Sequence, residues 1–323
     1  MMKKFFKTLS VSFLSLFLFV SCASVPKAQV QHQNGVYWTI EGTDKSGKPS
    51  YVHILGTIHM GDDRLYPLPD EIMDDLKNSK RVAAEIGSAD MASIQGKMMG
   101  IMMQSAIKAG GRNLEEELTK EELDVVINSI GMQGFAMLRL FEPWVITDTI
   151  SSLQWTNSGL DSSKGIDTTL MEVLKKEGRS WEGLDSVDTQ LEILQYGTYD
   201  QQLFMLKDLL ADIMDPTESD KNLNLMYEAY LSGDVDRLAD VLFMEETEEL
   251  EELEDIEEAD EAMIDFIIEY NDIVMTKRNK AWAEKIKNWL REGGETFIFA
   301  GSAHFLGDDS VFTYLRKNGV LAD

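Results

Sequence analysis

Cysteine is nearly absent: the chain has one, Cys22. Beyond that position there is no internal disulfide, no thiolate nucleophile and no cysteine ligand for a metal. Chemistry then falls to His, carboxylates, Ser/Thr, Arg and bound ions. Histidine is scarce too, with four in 323 residues, so the place of each one is informative. Positive charge is in deficit, 30 Lys and Arg against 57 Asp and Glu, for a formal net charge of −27. That balance argues against nucleic acid, because a phosphate backbone needs Lys and Arg to displace its counterions. The acidity reads first as solubility and self-repulsion between molecules. The pattern HExxH is missing, which argues against an ordinary zincin. Prolines number only six, and a hydrophobic content of 44% is enough to bury a large core.

The first 22 residues read as a targeting segment. Met1 to Lys7, "MMKKFFK", is a basic n-region, and Leu9 to Val20 is an apolar h-region too short for a permanent bilayer span. It ends in "LFVSC", which resembles a bacterial lipoprotein signal cleaved to leave Cys22 N-terminal and lipidated. An ordinary signal peptide with an incidental cysteine is the alternative. Residues 23–34 read as a polar, flexible tether between that anchor and a single domain spanning 35–323.

Within the domain, Val36 to Ile40 and Tyr51 to Leu55 read as strands joined by the turn-rich "EGTDKSGKPS" into a hairpin. Helical spacing follows over Asp70 to Ser79, then a short strand, "RVAAEI", ending near Glu85. From Met91 to about Leu290 the pattern is mostly helical, with no second set of strands. Met91, Met98, Met99, Met102 and Met103 crowd one part of it. They suit a plastic core helix or, alternatively, a groove for an apolar ligand. The run 245–261, "EETEELEELEDIEEADE", reads as an acidic helical insert, solvated or flexible. A late helix over Asp272 to Arg291, a strand over Thr296 to Ala300 and a helix near Ser310 to Asn318 close the chain.

Two histidines share one context. His59, in "ILGTIHMGDD", and His304, in "FIFAGSAHFLGDD", each follow an apolar strand as Gly-x-x-His. In an α/β sheet, ligands collect at strand carboxyl ends, where helix amino ends and free amides converge. Glycine at such a turn leaves room for sharp bending and for a ligand. Two imidazoles and one carboxylate are a common minimal set for a divalent ion with an open position. Asp62, Asp63, Asp308 and Asp309 follow the two histidines and suit either support of the site or helix capping.

Five segments in order, "LGTIHMGDDRLYPLPDEI", "VAAEIG", "KGIDTTLMEVLKKEGRSWEGLDSVDTQLEIL", "TKRNKAWAEKI" and "FIFAGSAHFLGDDSVFTYLRKNGV", resemble the TraB/GumN family. That family includes the animal Tiki proteins, Wnt-cleaving metalloproteases. The resemblance runs from about Gly35 to Val320. It implies an α/β fold, α+β-like, with a central mixed sheet built from N- and C-terminal strands and a large helical middle. Erythromycin esterase and the haem-associated ChaN proteins are relatives of that fold. The resemblance further implies a site of His59, His304, Glu85, Arg278 and Asn279, with Asp167 orienting it or, alternatively, N-capping the helix that follows. Glu85 would then be a metal ligand or a general base, with a salt bridge to Arg278 as the alternative, and Arg278 would stabilise an oxyanion or hold a substrate carboxylate. The function implied is a membrane-tethered, divalent-metal-dependent peptidase (Mn, Co or Zn) in the cell envelope, acting on a peptide or protein substrate. A metal-independent His/Glu hydrolase is one rival. A non-enzymatic protein sequestering a signalling peptide or apolar ligand is the other.

Overall fold

The structure is a computed structural model describing residues 27–157, 159–214, 216–243 and 261–322. The signal segment with Cys22, residues 23–26 of the tether and the acidic insert up to residue 260 lie outside the described residues. Six strands form one mixed sheet: β1 (Gln29–Asn34), β2 (Tyr37–Thr43), β3 (Pro49–Thr57), β4 (Arg81–Ile86), β5 (Glu182–Asp185) and β6 (Gly294–Gly301). Their spatial order is β1-β2-β3-β6-β4-β5. The first three pair antiparallel, while β3, β6, β4 and β5 run parallel. The N- and C-terminal halves of the chain are thus knitted together at the β3–β6 seam, where Ser50 pairs with Gly294 and Thr57 with Gly301.

Local chemistry explains the hairpin. The Asp44 carboxylate accepts from the amides of Ser46 at 2.7 Å and Lys48 at 2.9 Å, closing the turn between β2 and β3. Gly47 takes φ 81°, a conformation that costs glycine little. Strands β2, β3 and β6 carry the most buried residues of the sheet, with Ile40, Val52, Ile54 and Ile298 fully excluded from solvent. Their side chains join Trp282, Ile286, Leu170 and Leu174 from the covering helices in the main core. A second apolar cluster, including Leu114, Val126, Ile146 and Leu206, binds the middle helices to each other.

The mixed sheet of N- and C-terminal strands and the helical middle are as the sequence suggests. Three details correct it. Residues 29–34, read as part of the tether, form edge strand β1. Most of its side chains are exposed, with Val30 alone of them packed against the main core, so no hydrophobic alternation marks it. The middle segment is not free of strands: β5 is four residues, "EGLD", too short for a period to register. The late helix is preceded by a π-helical turn, Asp272–Thr276, before the regular helix Lys277–Glu292. In the methionine-rich helix Ser88–Lys108, Met91 packs against the core, but Met99 and Met103 are 62% and 67% exposed. Only part of that helix therefore fills the core.

Replacing Ile298→Ala removes a fully buried side chain from the seam strand and should cost about 2–5 kcal/mol. Thermal unfolding will show a lower Tm with unchanged helical circular dichroism. An unshifted Tm would mean that the seam is not where the halves are held.

Candidate functional site

All four parallel strands end on the same edge of the sheet, and each delivers one polar residue there. His59 follows β3 and His304 follows β6, while Glu85 lies near the end of β4 and Asp185 ends β5. Gly301 marks the centre. A Cβ placed on it would meet Glu85 Oε1 at 3.2 Å, the Cδ2 edge of His304 at 3.8 Å and His59 Nε2 at 3.9 Å. Atoms from positions 59, 85 and 304 therefore surround one small volume that only glycine leaves open.

Each imidazole is tied back through its far nitrogen. The His59 Nδ1 lies 2.9 Å from Asp167 Oδ2, and Asp167 Oδ1 accepts from Thr57 Oγ1 at 2.5 Å. Asp167 sits in the first turn of helix Ile166–Lys176, where the helix dipole favours a carboxylate. It does not cap that helix, because Gly165 occupies the cap and the Asp167 side chain points at the histidine. A side chain at Gly165 is forbidden, since its Cβ would stand 2.1 Å from the His59 carbonyl oxygen. The helix start is thus pressed directly against the GxxH turn, and Ile166 N donates to Ile58 O at 3.0 Å.

His304 is buried, with a ring centroid 4.2 Å from that of Trp282. Its Nδ1 is 2.7 Å from Asn279 Oδ1, and Asn279 Nδ2 donates to the Asp309 carbonyl at 2.7 Å. That second bond fixes which way the amide points, so Nδ1 of His304 must carry the hydrogen. Its Nε2 then carries the lone pair, next to the Cδ2 that faces the Gly301 position at 3.8 Å.

Each of the three Arg278 guanidinium nitrogens makes a contact. Nη2 donates to Glu85 Oε2 at 2.6 Å, Nε to Asp185 Oδ2 at 2.7 Å and Nη1 to the Val274 carbonyl at 3.0 Å. Asp185 also accepts from Trp282 Nε1 at 2.7 Å and Gln190 Nε2 at 2.8 Å. The Glu85–Arg278 ion pair is what the structure contains, and three of the five guanidinium N–H groups are committed to these contacts. Glu85 Oε1 accepts from Gly301 N at 2.9 Å. Asp185 and Trp282 had no place in the sequence reading, although "GLD" stood inside a quoted motif. A strand as short as β5 gave no signal that its last residue joins a strand-end row.

The aspartates after the two histidines serve mainly their own loops. Asp62 caps the short 3-10 turn Asp63–Leu65 and pairs with Arg64, while Asp63 pairs with Lys164 at 2.7 Å. Asp309 accepts from Thr276 Oγ1 at 2.5 Å and from the Tyr314 hydroxyl, while Ser310 caps the following helix. Asp308 is exposed.

The two imidazoles have opposite acid–base character. The Asp167 hydrogen bond raises the pKa of His59 to about 9, against the opposing pull of burial. Its side chain lines a recess rather than a packed interior, with 68% of its surface open. Burial, reinforced by the Arg278 charge, lowers His304 to about 3. Burial pushes Glu85 up, but the Arg278 charge, then His304 and His59, override it and leave the carboxyl below its ordinary range. An ionised carboxylate gripped by arginine is a weak proton acceptor at neutral pH.

Two imidazole nitrogens, that of His59 once it has lost its proton, and a nearby carboxylate oxygen fit a divalent ion by donor type. Among the described residues, however, no three His, Cys, Asp or Glu side chains already stand as a closed ligand cluster. The pair His59 and His304 fits an ion by donor type, with Glu85 Oε1 on the Gly301 side and Oε2 held by Arg278.

Fold and site define an α/β protein with a histidine-centred pocket at the carboxyl edge of a parallel sheet. The chain belongs to the TraB/PrgY/gumN family, whose model matches residues 36–322. It is 29% identical to an uncharacterized protein of Treponema pallidum (strain Nichols), over 97% of this chain and 89% of that one. It is 22% identical to the uncharacterized protein YbaP of Escherichia coli (strain K12), over 82% of this chain and 88% of that protein. No solved structure matches it.

Two expectations follow. In metal-stripped protein, Asp167→Asn removes the charge that holds the proton on His59, so its midpoint falls from about 9 to near or below 6.5. Ring-nitrogen NMR across the pH range reads this directly, and an unmoved midpoint would refute the Asp167 assignment. His304 has a folded pKa below its unfolded one, so the unfolded state takes up the proton first on acidification. Its contribution to stability is complete above pH 6.5 and is lost as pH falls toward about 3. Denaturant titrations of His304→Gln should therefore show a shallower acid limb over that window than wild type.

Proposed function

We propose that this protein is a hydrolase of peptide bonds, dependent on a divalent ion, and anchored through a lipid on Cys22 to a bacterial envelope membrane, outside the cytoplasm. The observation that carries the proposal is the meeting of His59 Nε2, the His304 ring edge and Glu85 Oε1 within 3.9 Å of one point above Gly301. The anchor rests on the signal-like N-terminus. No helix among the described residues is long and apolar enough to cross a membrane.

In this reading the Nε2 atoms of His59 and His304 hold the ion, and Glu85 Oε1 is the candidate third donor. A bound Mn²⁺, Co²⁺ or Zn²⁺ supplies an acidified water and polarises a scissile carbonyl. Asp167 and Asn279 orient the two rings so that neither must reorganise when the ion arrives. Arg278 keeps Glu85 ionised and aimed, and Trp282 walls off one side of His304. Protons compete with the ion at His59, whose free pKa is high, so uptake strengthens as pH rises toward 9.

A second reading keeps the hydrolysis and drops the ion. It is favoured by the Asp167–His59 pair, in which a carboxylate-held imidazole can pass a proton to a leaving group. Chelation separates the two readings: a metal-dependent enzyme loses turnover and recovers it with added Mn²⁺, Co²⁺ or Zn²⁺.

His59→Ala and His304→Ala should each abolish stoichiometric metal in elemental analysis of protein lacking residues 1–22. Each should also lower peptide hydrolysis by roughly a hundredfold or more while leaving the fold intact. Normal metal content and cleavage in both variants would overturn the assignment.

A further inference from the structure

The two edges of the sheet carry opposite charge. At the carboxyl edge, which holds the histidines, residues 58–70, 87–90, 186–188 and 302–310 contain seven Asp and one Arg. At the amino edge lie residues 27–29, the hairpin turn 43–49, the C-terminal run 316–322, and the runs 77–81, 175–182 and 291–295 that enter β4, β5 and β6. These contain twelve Lys and Arg against five Asp and Glu, or six acidic residues with the final Asp323 counted. In a chain of net charge −27 this is a local reversal of sign.

Helix ends explain part of the pattern, because carboxylates favour helix amino ends and ammonium groups the carboxyl ends. They do not explain Lys27, Lys45 and Lys48, which belong to no helix. Nor is the charge cancelled within the edge. Arg81, Lys176 and Arg179 do pair with glutamates. Lys45, Lys80 and Lys175, from three different connections, are exposed and have no carboxylate partner among the described residues.

The chain enters the fold at this same edge. Ala28 is buried beside Gly42; its amide donates to the Val320 carbonyl at 2.7 Å, and its carbonyl accepts from the Ala322 amide at 3.2 Å. Gly42 pairs with Ser50, and Ser50 with Gly294, where the parallel strands begin. The site starts seven residues further on, at Thr57 and Gly301, about 23 Å away by strand rise. Cys22 is six residues before Ala28, and six residues reach at most about 22 Å when fully extended. A lipid on Cys22 cannot be carried past the level of the site.

We propose that the amino edge of the sheet rests on an anionic lipid surface, held by the lipid on Cys22 and by the lysines of that edge, so that the histidine pocket opens away from the bilayer. The proposal rests on the lipid-anchor reading and is independent of the chemistry in the pocket. An anionic surface repels the molecule as a whole, so the tethered protein is favoured with its cation-rich edge toward the headgroups and its aspartate-rich edge toward solution. Substrates then reach the pocket from solution rather than from within the anchoring bilayer.

The test uses the full lipidated chain in phosphatidylcholine vesicles with or without phosphatidylglycerol. With Cys22 acylated, Ser46→Cys in the hairpin turn and Asp308→Cys beside the pocket each give one free thiol for a donor dye, and both positions are exposed. Energy transfer to acceptor-labelled lipids in the outer leaflet should be several times greater from position 46 than from position 308 when phosphatidylglycerol is present. The difference should shrink in phosphatidylcholine alone, at high salt, and in the variant combining Lys45→Glu, Lys80→Glu and Lys175→Glu. Equal transfer from the two positions, or more from position 308, overturns the proposal. A difference that the triple variant leaves unchanged also overturns it, since the tether alone would then set the orientation. Intact mass reads the anchor separately. If Cys22 carries no lipid, the anchor reading fails, and the basic edge stands only if that chain floats with phosphatidylglycerol vesicles and its triple variant does not.

Discussion

A buried guanidinium organises the working edge of this molecule. Arg278 is 7% exposed, and burying its charge alone would cost several kcal/mol. It is stable there because Glu85 from β4 and Asp185 from β5 meet it at 2.6 and 2.7 Å, with a carbonyl at its remaining edge. The dependence is mutual. Each carboxylate would be costly at its depth without the arginine, so the helix Lys277–Glu292 cannot leave the sheet without exposing three unmatched charges. An ion pair of this kind contributes little net stability compared with apolar packing, but removing any one partner leaves a buried charge uncompensated.

From that constraint the geometry of the histidines follows. The same helix turn that carries Arg278 carries Asn279, so fixing the guanidinium fixes the amide that holds His304. Gly301 N donates to Glu85, so the arginine-bound carboxylate also pins the end of β6 just before the GxxH turn. On the β3 side an independent brace performs the same task. Asp167 bonds both Thr57 and His59, and the tight approach at Gly165 locks its helix to that turn. Two braces from different helices thus converge on one point, and neither imidazole relies on the other for its position.

Much of this was legible in the chain itself, and the reasons differ by residue. Long apolar strands ending in Gly-x-x-His are visible because their burial demands a run of β-branched and aromatic residues. The scarcity of histidine made each copy conspicuous. Asn279 and Asp167 came from the likeness to a family, since no local pattern tells an orienting amide or carboxylate from a cap. Asp185 was invisible because its strand is four residues long and its partners, Arg278 and Trp282, lie almost a hundred residues away. Strand β1 was missed for the opposite reason: an exposed edge strand made of polar residues has no need of the alternation that reveals strands.

The site also shows how one side-chain type is driven two ways. His59 opens onto a recess and faces a carboxylate, which stabilises its cation. His304 is sealed beneath Trp282, faces a neutral amide and feels the Arg278 charge, which together exclude its cation. At neutral pH the pocket therefore contains one protonated and one neutral imidazole beside an ionised glutamate. Such a pocket is ready to receive something at the neutral nitrogen while the other ring must first give up a proton. A ligand that takes the lone pair of His59 exchanges with its proton, and that exchange couples occupancy of the site to the Asp167 brace rather than to the Arg278 cluster.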